Sequence, residues 1–107
     1  MINIKIKPLS VNKAWKGRKF KTKEYNYYIL ELKNKLPDMK IPDGKLHLII
    51  EFGFSSKASD VDNPLKPFID VLQKRYGFDD KMIYKLDVKK EIVKKGEEFI
   101  KFKITKL

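Results

Sequence analysis

The chain has 107 residues, the size of one ordinary domain with a small core, and 42% hydrophobic with 36% charged residues fits a folded protein rather than a disordered one. It has no cysteine, which excludes disulfides, thiolate metal sites and a cysteine nucleophile. A net charge of +11, from 25 Lys and Arg against 14 Asp and Glu, favours a polyanionic partner.

Ile2, Ile4 and Ile6 alternate with Asn3, Lys5 and Lys7, which predicts a first strand over residues 2–7, ended by Pro8. Met1–Lys7 lacks the apolar centre of a signal peptide, and no stretch approaches the roughly 18 apolar residues of a membrane span. A cytoplasmic protein without a membrane partner is the expectation. Residues 9–22 have no period and read as a basic loop, carrying Lys13, Lys16, Arg18, Lys19 and Lys21 with Trp15 and Phe20 between them. Thr22 is placed to cap a helix whose Tyr25, Tyr28, Ile29, Leu32 and Leu36 recur at helical spacing, and Pro37 stops it.

Leu46, Leu48, Ile50, Phe52 and Phe54 fall on one face of a second strand. Residues 60–76 predict a second helix, with Asp62 or Asn63 as cap, Pro64 at its first position, and a stripe of Leu65, Ile69, Leu72 and Tyr76. Pro67 is tolerable only in the first turn, and Gly77 is a natural stop. Met82 to Val93 reads as a third strand, Lys94–Glu97 as a hairpin turn, and Ile100, Phe102 and Ile104 mark a fourth strand. The order β-α-β-α-β-β makes residues 1–107 a single α+β domain, a small mixed sheet with two helices packed on it.

Five aspartates crowd into a basic chain between residues 60 and 80: Asp60, Asp62, Asp70, Asp79 and Asp80. Carboxylates repel phosphate unless a divalent cation offsets them, and Mg²⁺ takes a few carboxylates with water or phosphate oxygens in its other positions. Asp60 and Asp62 lie two residues apart after a strand, and Lys66 sits four residues from both Asp62 and Asp70. Acids that hold a metal, with a lysine for charge developing on a phosphate, form a phosphodiesterase constellation. Plainer roles remain open: Asp62 as a helix cap, Asp79-Asp80 as a turn, Lys66 as a solvated lysine, and Asp70 as its ion-pair partner.

The run Asp60-Val61-Asp62-Asn63-Pro64-Leu65-Lys66, then Asp70, then Gly77-Phe78-Asp79-Asp80, resembles the hallmark of RusA-type Holliday junction resolvases. That family carries an Asp-x-Asp-Asn-x-x-Lys core, a further Asp one helical turn on, a Gly-aromatic step and an Asp-Asp pair. Pro8-Leu9-Ser10-Val11-Asn12 is similar to the family's Pro/Ser/Asn-rich stretch after strand one. The resemblance spans nearly the whole chain. It implies a homodimeric endodeoxyribonuclease, of bacterial or phage origin, that hydrolyses phosphodiesters in paired nicks across four-way DNA junctions in recombination and repair. It implies Mg²⁺, with Mn²⁺ as a substitute, on catalytic Asp60, Asp62 and Asp80. Lys66 would be the catalytic lysine, with Asp70, Asp79 and Asn63 in support and no small-molecule cofactor. The chain departs from the family pattern at Ser59, where an arginine often stands, and at Pro64 and Pro67.

Only Arg18 and Arg75 are arginines, so phosphate contacts by lysine are expected to outweigh base reading. The loop lysines Lys13, Lys16, Lys19 and Lys21, with Arg18, would bind DNA, and Trp15, Phe20 or a tyrosine would stack on an unpaired base. Tyr25 and Tyr28 fit the core better, since the amphipathic pattern explains them. The single histidine, His47, reads as a surface or satisfied sheet residue rather than a catalytic one. The competing function is a non-catalytic or differently targeted binder of branched DNA or RNA with the same fold.

Overall fold

The computed structural model describes residues 1–16 and 20–107. Arg18 and Lys19 of the expected DNA-binding loop lie outside them, as does the side chain of Phe20. Nine elements follow in order: β1 (Ile2–Ile4), α1 (Val11–Ala14), β2 (Trp15–Lys16), β3 (Phe20–Lys21), α2 (Lys23–Lys35), β4 (Leu46–Phe54), α3 (Leu65–Tyr76), β5 (Ile83–Ile92) and β6 (Phe99–Lys106). Four strands form one mixed sheet in the order β1-β6-β4-β5, and β2 pairs with β3. The β1–β6 and β6–β4 pairings are antiparallel, while β4 and β5 run parallel. The expected α+β architecture, with helices on a small mixed sheet, is the one observed. Among the described residues no helix is long and apolar enough to cross a membrane.

The alternation read from the sequence sets the layers. Leu48, Ile50 and Phe52 stand level with Ile104, Phe102 and Ile100 of β6. Together with Ile4 they form the face against which Tyr25, Tyr28 and Leu32 of α2 and Phe68, Val71 and Leu72 of α3 pack. Phe68 is the centre of this core, edge-on to Phe102 at 5.4 Å and to Phe52 at 6.1 Å. The opposite face is polar, and there His47 Nε2 meets Asp87 Oδ2 at 2.6 Å. His47 is therefore a satisfied sheet residue, as its isolation in the sequence suggested.

Several local expectations are corrected. The strand over residues 2–7 ends at Ile4, although Ile6 stays buried. The loop over 9–22 holds a one-turn helix and a short ribbon. Ser10 Oγ caps α1 by accepting from the Asn12 amide at 3.2 Å, and Thr22 Oγ1 donates to the Lys13 carbonyl at 2.6 Å. Thr22 also caps α2 as expected, accepting from the Tyr25 amide at 3.1 Å.

The helix expected over 60–76 begins only at Leu65, and neither Asp62 nor Asn63 caps it with a side chain. Main-chain carbonyls take that role: Leu65 N–H donates to the Asp62 carbonyl at 3.1 Å and Phe68 N–H to the Pro64 carbonyl at 3.3 Å. Pro67 is the third helical residue, where an amide has no intrahelical partner to lose. The buried stripe is Pro67, Phe68, Val71 and Leu72, rotated from the expected one because the large Phe68 ring fills the gap between β4 and β6. Gly77 closes the helix at φ 71°, a left-handed conformation that a side chain resists, with its N–H on the Gln73 carbonyl at 2.8 Å.

Candidate functional site

The two sequence stretches singled out by their polar residues meet in space. The Val11 N–H donates to the Asn63 carbonyl at 2.9 Å, which fastens the Pro8–Asn12 segment to the loop before α3. Beside this joint lies a cleft of about 650 Å³, lined by Lys7, Ser10, Lys13, Ser59, Asp60 and Asn63 among others. Tyr28 lines it too, and its hydroxyl is buried with no hydrogen-bond partner among the described residues. Burial pushes the Tyr28 hydroxyl pKa well above the ordinary tyrosine value.

Asp60 and Asp62 are both exposed on the loop leading into α3. That loop bends and turns at residues 61–64 rather than extending. Asn63 Nδ2 donates to Asp60 Oδ2 at 3.2 Å, which orients one carboxylate. Because main-chain carbonyls serve the first turn of α3, the Asp62 carboxylate is not spent on capping. The loop is also held from the sheet side: Lys90 Nζ donates to the Ser59 carbonyl at 2.8 Å. One turn into α3, Lys66 Nζ donates to Asp70 Oδ1 at 3.2 Å, the ion pair read from their spacing.

Asp80 lies elsewhere. Because β4 and β5 are parallel, Ile83 at the start of β5 stands beside Leu46 at the start of β4. Asp60 follows the far end of β4. Within one chain Asp80 therefore lies before the end of the sheet opposite to the one that Asp60 follows. Its backbone N–H donates to Gln73 Oε1 at 2.8 Å, and Gln73 lies roughly 12 Å along the α3 axis from Leu65. Asp79 caps the 3-10 turn Asp80–Met82 by accepting from the Lys81 amide at 3.0 Å. That hydrogen bond, helped by Asp80 and the Lys81 charge, holds the Asp79 carboxyl below its ordinary value. Among the described residues no three Asp, Glu or His side chains stand close enough together to hold a metal ion.

Two residues emerge that the sequence did not single out. Gln73 ties the two parts of the motif: its Oε1 accepts from Asp80 and its Nε2 donates to Asp70 Oδ1 at 3.4 Å. Nothing in its sequence context marks it, since a glutamine on a helix is ordinary. Lys74 lies against Lys21 of the basic segment, and hydrogen bonding to Lys21, burial and the Lys21 charge together lower its pKa. Lys13 and Lys16 are exposed as expected, and Lys21 is half-buried. Trp15 is half-buried and packs edge-on against Tyr25 at 5.5 Å, and Tyr25 and Tyr28 are core residues, so Tyr27, 71% exposed, is the tyrosine of α2 open to a base. Neither the family models nor the curated proteins compared with this chain match it.

Proposed function

We propose that the chain is a metal-dependent endonuclease of branched DNA, acting on four-way junctions as a homodimer. The observation that supports this most is the exposed Asp60/Asp62 loop, fastened to the Pro8–Asn12 segment through Val11 and Asn63, on a chain of charge +11. Two carboxylates with open positions around them suit Mg²⁺, which keeps waters and phosphate oxygens in its shell. What such an ion supplies is a more acidic water and a counter-charge for the phosphate. The reaction is hydrolysis: water oxygen bonds to phosphorus, the bond to the 3′ oxygen breaks, and 5′-phosphate and 3′-hydroxyl ends result. Lys66, oriented by Asp70, offers its ammonium to charge developing on the phosphate or the departing oxygen. Lys13, Lys16, Lys21 and Lys74 hold the backbone of the junction arms.

The homodimer enters through Asp80. β5 is one edge of the sheet, with β1 at the other. Antiparallel pairing of two β5 edges sets the start of one beside the end of the other. There Lys90 holds the loop before Asp60. In that arrangement the partner's Asp80 approaches Asp60 and Asp62, and each three-carboxylate set draws on both chains. The separation of Asp80 from Asp60 within one chain also favours a second reading, a branched-nucleic-acid-binding module whose acids are structural.

The test is cleavage of a labelled four-way junction with Mg²⁺, beside a linear duplex of matching sequence. Paired nicks in the junction alone, lost in Asp60→Asn with binding retained, are the expected result. Mixing Asp60→Asn with Asp80→Asn chains restores one intact shared site and therefore some nicking. Junction binding without cutting by the wild type points to the binding module, and cleavage that survives in both Asp60→Asn and Asp62→Asn removes these residues from the site.

A further inference from the structure

We infer that β5 is the interface for a second copy of this chain, paired antiparallel about a two-fold axis through Val88. This rests on the two-copy reading above but not on its chemistry.

β5 spans ten residues at the edge of the sheet, and β4 alone pairs with it among the described residues. Its apolar side chains are left open: Tyr84 is 60% exposed and Leu86 and Ile92 are each 41% exposed. The ladder to β4 fixes which backbone groups are unpaired. The Val93 N–H donates to the Phe54 carbonyl at 2.7 Å, so the odd-numbered residues from Lys85 onward turn their amides toward β4. The even-numbered residues Leu86, Val88, Lys90 and Ile92 turn theirs outward. A long edge of this kind is a template for another strand unless something blunts it.

The side chains select the register. In an antiparallel pair, residues directly opposite share a face, and like charges there are destabilising. With the two-fold on Asp87, Asp87 faces itself and Lys85 faces Lys89. With it on Lys89, Lys89 faces itself and Asp87 faces Glu91. On Lys90 two lysines coincide, and on Leu86 the residues Lys90–Ile92 extend beyond the partner's strand. With the two-fold on Val88 every charge on the polar face finds its opposite: Asp87 stands across from the partner's Lys89, and Lys85 from the partner's Glu91. Symmetry repeats each pair. On the helix-bearing face Val88 meets the partner's Val88, Tyr84 meets the partner's Ile92, and Leu86 lies along the partner's Lys90. The same register lets the outward amides of Leu86, Val88, Lys90 and Ile92 find partners across the axis. The strand's charge sequence is thus complementary to its own reverse, and the two sheets become one continuous sheet of eight strands.

Because the chain has no cysteine, single-cysteine variants are clean reporters. Across a hydrogen-bonded antiparallel pair, Cα atoms lie about 5.5 Å apart, within the span of a disulfide. Val88→Cys is therefore expected to oxidise to a linked dimer. Lys85→Cys, roughly 20 Å from its symmetry mate at about 3.3 Å per residue, is expected to stay unlinked. By sedimentation, wild type is expected at about twice the 12.7 kDa chain mass. Lys85→Glu and Glu91→Lys each weaken self-association about tenfold, and mixing the two restores a heterodimer of wild-type strength because the charges then match. Asp87 is left untouched, since it also meets His47. A wild-type chain that stays monomeric at hundreds of micromolar overturns the inference. So does Lys85→Cys linking as fast as Val88→Cys, or a failure of the charge-reversed mixture to associate. Nicking is read separately: a Val88-linked dimer that is inert on junctions upholds the interface and counts against the nuclease.

Discussion

Gln73→Met isolates the one side chain that ties α3 to Asp80. Methionine keeps the length of the side chain and has nearly the helix propensity of glutamine, so the helix itself is not penalised. What is lost is the 2.8 Å bond from the Asp80 amide and the 3.4 Å bond to Asp70. A neutral hydrogen bond contributes about 0.5–1.5 kcal/mol net, and the second is too long to add much. Asp80 is exposed, so water replaces the lost acceptor and no buried orphan is left. The expected cost is therefore about 1 kcal/mol. For a chain of this size that lowers the melting temperature by about 4 °C, measurable by circular dichroism. If Asp80 belongs to the cleavage site, losing this tether costs more in rate than in stability. Junction nicking should fall about 10–100-fold, as it does when a supporting residue behind a metal ligand is removed, while the junction Kd stays unchanged. An unchanged melting temperature together with an unchanged nicking rate would refute the positioning role of Gln73.

Three further outcomes are expected. Phe68→Ala empties the centre of the core and should cost about 3–5 kcal/mol in urea unfolding, most of the stability of a domain this small; a loss below about 1.5 kcal/mol would mean the core closes around the gap. Lys21→Ala and Lys74→Ala should each reduce the slope of log K against log salt for junction binding by about 0.9, the loss of one phosphate contact, and an unchanged slope removes that lysine from the interface. Asp79 titrates below its ordinary value of 3.8 in the fold, so its contribution to stability is complete above that value and is lost as pH falls through the lower, folded value. Acid titration of Asp79→Asn should accordingly lack that component of the pH dependence, with stability near neutrality changed far less.

Much of the fold was legible because its signals are local and periodic. Period two in Leu46–Phe54 gave a strand with the observed bounds, and Thr22 marked the start of α2 through a cap that depends on three residues. The start of α3 was misread because Asp62 and Asn63 are good caps in isolation, whereas the bend at residues 61–62 hands the first amides to main-chain carbonyls. The ribbon of β2 and β3 carries no period at two residues each, so no pattern could reveal it. At the candidate site, the Lys66–Asp70 pair followed from helical spacing. The place of Asp80 did not, because it depends on the direction of β5 relative to β4, and strand pairing is a long-range property that spacing does not encode.

The pairing of β1 with β6 has a consequence for how the molecule is made. Ile2 stands opposite Phe102 and Ile4 opposite Ile100, so roughly a hundred residues must be added after β1 before its partner strand exists. At typical elongation rates the wait is roughly 5–20 s. For that interval Ile2 and Ile4 have no ladder to join, and the nascent chain carries an unsatisfied apolar strand. Closure of the sheet must then wait for β6, and β1 is a segment on which a chaperone that binds extended apolar chain has time to act.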